Sequence, residues 1–336
     1  MAFSRREFLA AAAGGLAAAM ASADERGASA QSKASPQGSA AGKTRVSLVR
    51  TSDRASGIER AVELLGVNPV SGKNILLKPN FNTADPFPAS THNDTLAGLV
   101  LRLKKMGARS VTIGERSGPP ETSDVLREKG IDDLCKRLDV GLINFEDLPP
   151  DGWVRRKPKH SHWTNGFDVA RPVLEAECVV STCCLKTHRH GGVFTMSLKL
   201  AVGITHKGNM TELHASFRSM RKMIAEINQA YAPSLILLDG IEAFVDGGPA
   251  RGTRKTANVI LAGTDRIAID AVGLAILKDL GSNKAVMGKR IFDQEQIARA
   301  VELGLGVSRP GDIEIFSDDA NGRKYAEKLT GILRKA

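Results

Sequence analysis

Between Cys183 and Lys207 the chain gathers Lys186, His188, His190, Thr195, Lys199, His206 and Lys207, with Gly191, Gly192 and Gly203 among them. Grouped lysines supply movable positive charge for a carboxylate or a phosphate. Lys199 is the least ordinary of them, because Leu198, Leu200, Ala201 and Val202 are its neighbours, and an ammonium in apolar surroundings must reach a partner or lose its charge. Thr195, Lys199 and Gly203 are spaced i, i+4 and i+8, which predicts one helix face with a glycine that lets something approach closely. Lys186 and Thr187 precede the glycine pair, whose backbone N–H groups could face an anion. His188 and His190, two apart, share a side of an extended chain and with Asp239 form a possible donor set for a divalent metal; alternatively, His188 moves a proton.

Further groups of this kind fall after apolar runs. Lys78, Pro79 and Asn80 follow one such run, and the proline turns the chain outward so that Lys78 and Asn80 face the space beyond. Glu115, Arg116, Ser117 and Gly118 follow another, reading either as a site carboxylate beside a guanidinium or as an ion pair holding the turn. Asp239 and Gly240 follow a third, placed as a base or a metal ligand. The glycine-rich segment 246–252 has neither the GxxxxGK nor the GxGxxG spacing, so nucleotide binding is not indicated. The four cysteines include no CxxC pair, which argues against an iron–sulfur cluster and a zinc ribbon; they read as packing residues or one disulfide. Asp94 and Asp265 stand where helix N-caps belong, and Asp270, inside an apolar helix, needs a partner such as a lysine or an arginine.

The elements that must position these groups alternate. Strand-like runs at 45–50, 74–78, 110–114, 140–145, 177–182, 234–238, 258–262 and 312–316 are interleaved with helical periodicity at 55–65, 95–106, 123–138, 195–202, 211–231, 266–280 and 294–303. That rhythm predicts an α/β fold with a mostly parallel sheet and helices on both faces. Residues 44–320 would form the α/β body, with lobes 44–150 and 165–320 around a cleft, and 321–336 a helical tail. Residues 153–168, with a turn at Asn165 and Gly166, break the rhythm as a β-hairpin or flap. In such sheets ligands bind outside the carboxyl ends of the strands, where the polar groups above are expected.

The formal net charge of +10 favours anionic partners. Nucleic acid is set aside because Ser4, Arg5, Arg6, Glu7, Phe8 and Leu9 precede an Ala/Gly-rich apolar run over 9–19, a pattern similar to a twin-arginine export signal. Residues 1–30 read as that signal and 31–43 as a linker. The translocase is then a partner in export, and the destination is the periplasm or the exterior. The run falls short of the ~20 residues of a membrane span.

In order, Lys78-Pro79-Asn80, Lys186-Thr187-His188, Thr195 with Ser197-Leu198-Lys199 and Gly203, Asp239-Gly240, Gly247-Gly248-Pro249 with Gly252, and Asp265 to Asp270 resemble the family catalogued as domain of unknown function 362. The resemblance spans roughly residues 45–280 and implies that the scattered groups belong to one site. Some members carry a ferredoxin-like module with cysteine repeats, which is not seen here. His188, the glycine pair and Lys199 also resemble, more faintly, the nickel-pincer lactate racemase family. The residues then suggest an enzyme acting on a small anionic substrate held by Lys78, Lys186 and Lys199, with Asn80, Thr195 and Glu115 as further contacts. Asp239 or His188 would move a proton or hold a metal. The alternative is a binding or delivery protein for an anion or a metal, with the same cleft and no chemistry.

Overall fold

A computed structural model describes residues 42–335; the residues read as an export signal, nearly all of those read as a linker, and Ala336 lie outside them. β1 (Thr44–Arg50) leads into α1 (Arg54–Leu65), whose start is capped by Asp53 accepting from the amides of Ala55 and Ser56. β2 (Asn74–Lys78), α2 (Asn93–Lys105), β3 (Ser110–Glu115), α3 (Thr122–Glu128), α4 (Ile131–Leu138) and β4 (Gly141–Asn144) follow. β5 (Trp153–Arg156) and β6 (Phe167–Ala170) pair antiparallel as a separate two-stranded sheet, the hairpin expected from the sequence. Then come α5 (Arg171–Glu175), β7 (Cys178–His188), β8 (Val193–Thr195), α6 (Ser197–Leu200), α7 (Asn209–Ala215) and α8 (Met220–Ile227). The chain continues through β9 (Leu235–Gly247), β10 (Gly252–Gly263), α9 (Arg266–Asp279), α10 (Lys284–Met287), α11 (Glu295–Glu302), β11 (Ile313–Phe316) and α12 (Ala320–Lys335).

The main sheet runs β11-β1-β10-β9-β7-β2-β3-β4, with β8 attached to β7. From β9 to β4 every neighbour is parallel, and β1 is parallel to β11; β10 lies antiparallel between β1 and β9. The central strands are apolar on both sides because both faces are covered. Val46, Leu48, Leu238 and Leu261 pack against Ile267, Val272 and Leu329 on one face. Val49, Leu77, Val180, Leu237 and Ile260 meet Ile58, Leu96 and Leu99 on the other. A third cluster joins Trp163, Phe167 and Val169 to Met223, Ile224 and Ile227. Among the described residues no helix is long and apolar enough to cross a membrane.

Three elements depart from the sequence reading. β7 continues six residues past Thr182, to His188, so Lys186 and His188 are strand residues rather than the handover to a helix. Thr195 ends β8, paired with Lys186, and the expected helix over 195–202 is reduced to α6 and a 3₁₀ turn at Ala201–Ile204. The span 211–231 divides into α7 and α8.

Candidate functional site

Lys78 ends β2, and the loop beyond it is closed by a reciprocal pair: the Asn80 amide donates to Thr91 Oγ1 at 2.9 Å and the Thr91 amide to the Asn80 carbonyl at 2.9 Å. Glu115 ends the neighbouring β3. Its carboxylate accepts from the amides of Phe81 (2.7 Å) and Arg116 (2.9 Å) and is ion-paired with Lys78 Nζ. Both side chains are 1% exposed. Burial pulls the Lys78 ammonium down and pushes the Glu115 carboxyl up, and each charge partly offsets that cost for the other. Gly203 lies against this pair. A Cβ there would stand 2.8 Å from Lys78 Nζ and 2.9 Å from Glu115 Oε1. Gly203→Ala is therefore expected to lower unfolding free energy by ~1–3 kcal/mol through overpacking, read as a shifted urea midpoint at unchanged slope; an unshifted midpoint would show that the turn yields freely.

β7 and β8 carry the next groups. Lys186 is fully buried and its Nζ donates to the Ala89 carbonyl. Thr195 stands directly across the ladder from Lys186, and His188 lies two residues along β7. Burial, then the charges of Lys199 and Lys186, pull the His188 pKa far below the usual range, so the imidazole is neutral. Lys199 follows on α6, whose start is held by Asp270: its carboxylate accepts from the amides of Ser197 (2.7 Å) and Leu198 (3.1 Å). Asp270, expected to seek a cation, thus caps the turn that carries Lys199, and burial pushes its carboxyl up to about 7. The Lys199 ammonium is lowered to about 8, first by burial and then by Lys186 and Arg116, and among the described residues no carboxylate or hydrogen bond raises it. A Cβ on Gly192 would stand 2.9 Å from Lys199 Cε and 3.0 Å from His188 Nδ1, so a bare backbone is what fits between them.

These side chains close on one cavity of about 40 Å³, lined by Lys78, Asn80, Glu115, Lys186, His188, Thr195 and Lys199 together with Asn82, Arg116, Gly203 and Pro249. Four cations face it against the single carboxylate of Glu115. Arg116 does not neutralise a carboxylate; its guanidinium is spent on the carbonyls of Thr205 (2.9 Å), Ser117 (2.8 Å) and Val202. Among the described residues Asn80 Oδ1, His188 Nδ1 and Thr195 Oγ1 are buried without a hydrogen-bond partner. Buried polar atoms are nearly always paired, so three unpaired ones around one cavity of excess positive charge set this place apart.

Two expected site residues stand elsewhere. Asp239 is absent from the cavity lining: its Oδ2 accepts from Arg54 Nε at 2.8 Å and from Thr95 Oγ1 at 2.5 Å, and its Oδ1 from the Ile241 amide. β9 runs on to Gly247, so Asp239 sits within a strand opposite Cys184 instead of at a strand end. His190 is exposed, edge-on to His188 at 5.9 Å, with its Nε2 taken by Arg189. Among the described residues no three His, Cys, Asp or Glu side chains are grouped to hold a metal, so His188, His190 and Asp239 do not make a shared centre. All four cysteines are free and buried, and burial pushes Cys184 up to about 11. The helix starting at Asn93 is capped by the His92 side chain, with Asp94 in its first turn. Asn82 is a lining residue that the sequence reading does not single out, and Pro249 enters that reading only within the Gly247-Gly248-Pro249 run of the family resemblance. Gly248 beside it holds φ 67°, and a Cβ there would come to 2.1 Å from the Thr187 carbonyl.

The fold and the cavity define an α/β protein with a lysine-rich pocket beyond the ends of β2 and β3 and along the last residues of β7. Residues 75–275 match the family described as Domain of unknown function (DUF362), and the chain belongs to that family; every cavity residue named above lies in the matched span. The chain is similar to the thylakoid-associated protein sll1697 of Synechocystis sp., 25% identical over 214 residues, which are 62% of this chain and 64% of that protein's length. The structure of the lactate racemase apoprotein from Thermoanaerobacterium thermosaccharolyticum aligns with a TM-score of 0.43 at 12% identity, covering 86% of each chain.

Proposed function

We propose that this chain is an exported enzyme acting on a small carboxylate or phosphate held in the lysine-lined cavity. The observation that carries the reading is the imbalance of charge at a buried place: four cations against one carboxylate, around three orphaned polar atoms. Lys186 and Lys199 would hold the anionic group, with the Thr195 hydroxyl donating to one of its oxygens and Asn80 Oδ1 accepting from a hydroxyl elsewhere on the substrate. Fixed positive charge in a water-poor site stabilises negative charge as it develops in a transition state. The cavity is small, a few times the ~10–15 Å³ that one water requires, so the group admitted is small too. The test is a panel of small carboxylates and phosphate esters, scored first by thermal shift and then by product formation. Turnover lost in Lys199→Met supports the enzyme. A ligand that is bound and never converted points instead to a binding or delivery protein.

Export by the twin-arginine route is part of the same proposal and is supported by the residues Ser4 to Leu9. Replacing Arg5 and Arg6 by lysine is expected to leave the precursor in the cytoplasmic fraction, while the unaltered chain is recovered outside it. Equal distribution of the two would remove the export proposal and leave the site untouched.

A further inference from the structure

We infer that Lys199 is a nucleophile that forms a Schiff base with the carbonyl carbon of a small 2-oxo acid. This rests on the anion-binding reading above and names its substrate class. The cationic groups lining the cavity are not equivalent. Lys78 is held by Glu115, Lys186 by the Ala89 carbonyl and Arg116 by three carbonyls; among the described residues no hydrogen bond or carboxylate supports the charge of Lys199. An amine kept from counter-ions and set near another cation is favoured in its neutral, nucleophilic form, and Lys186 is that neighbour. A value lowered to about 8 agrees with this placement. Gly192 keeps side-chain atoms away from both Lys199 Cε and His188 Nδ1.

The remaining cations then have a separate task. In its ammonium form Lys199 helps Lys186 and Lys78 to draw the anion in; once it has given up its proton, those two keep the carboxylate while its neutral amine meets a carbonyl, which calls for both groups on adjacent carbons in so small a space. The neutral amine adds to the carbonyl carbon; the C–N bond forms, the π pair moves to oxygen, and one amine proton passes to that oxygen to give a carbinolamine. His188 Nδ1, neutral and unpaired, can accept a hydrogen bond from the new hydroxyl. The C–O bond then breaks as the Lys78–Glu115 pair supplies a second proton. Water leaves, and the nitrogen lone pair completes the C=N bond of an iminium.

Glyoxylate, the smallest 2-oxo acid, is the probe, with borohydride to reduce any iminium to a stable N-carboxymethyl group, located by peptide mass mapping. Labelling of Lys199 is expected to run about tenfold or more ahead of exposed lysines, and to vanish in Lys199→Arg, which keeps the charge but not the nucleophile. Labelling spread evenly over surface lysines overturns the inference. Oxalate, which has the carboxylates but no keto or aldehyde carbonyl, separates the two levels. If oxalate binds and glyoxylate leaves Lys199 unlabelled, the Schiff base fails and the anion site stands; if neither binds, the anion site itself fails.

Discussion

Replacing Glu115 by alanine is expected to cost ~3–5 kcal/mol of folding stability, the range for breaking a buried ion pair from one side. The variant would strand the Lys78 ammonium, 1% exposed, leaving it the Pro79 carbonyl at 2.7 Å as its one hydrogen-bond partner among the described residues. It would also orphan the amides of Phe81 and Arg116, which now donate to the same carboxylate. Lys78→Met combined with Glu115→Leu should recover much of the loss, since well-packed apolar pairs commonly replace buried ion pairs at little cost. Recovery stays incomplete because the two amides still lack an acceptor. Urea titration of the single and double variants measures this directly. A loss below about 1 kcal/mol for Glu115→Ala would mean that the pair is solvated.

The second large effect is on pH. Lys199 sits at about 8 in the free protein. Below that value its ammonium is present and an anion binds at no proton cost; above it each binding event must take up a proton, so log Kd climbs by about one per pH unit. Binding of a small carboxylate is expected to weaken about tenfold between pH 7 and pH 9. Lys199→Arg should flatten that slope. Stability of the free chain responds with the opposite sign: the unfolded lysine holds its proton to a higher pH than the folded one, so Lys199 contributes stability that grows as pH rises from about 8 toward the ordinary lysine range. A binding curve flat across this window would exclude Lys199 as the anion's partner.

Much of this site could be read from residue types. Lys78, Asn80, Glu115, Lys186, His188, Thr195 and Lys199 all line one cavity; Lys78, Asn80 and Glu115 are legible because they follow apolar strand runs, and Lys199 because an ammonium among apolar neighbours needs a partner. Thr195, Lys199 and Gly203 come together by another route than their helical spacing predicts: a strand end, a single helical turn and a 3₁₀ turn bring them to one place. Asp239 shows where local reading stops. Glycine after aspartate looks like the end of a strand, but pairing with β10 and β7 carries β9 on for thirteen residues in all, and ladder pairing is not a local property. Arg54 and Thr95, which claim its carboxylate, come from distant parts of the chain. Alternation of strands and helices was legible because each element writes its own periodicity. The antiparallel β10, set between β1 and β9, was not, since sheet order depends on contacts across the whole chain.

The central claim is that a small anion occupies the cavity formed by Lys78, Lys186 and Lys199. Isothermal titration of oxalate and of inorganic phosphate into the full chain at pH 7, repeated with Lys186→Met and Lys199→Met, tests it most directly. Loss of one charge-assisted hydrogen bond is worth ~1.5–3 kcal/mol, so each variant should weaken binding of the preferred anion by about 10- to 100-fold while keeping the fold. Affinity unchanged in both variants, or no binding of either anion by the unaltered chain, would contradict it.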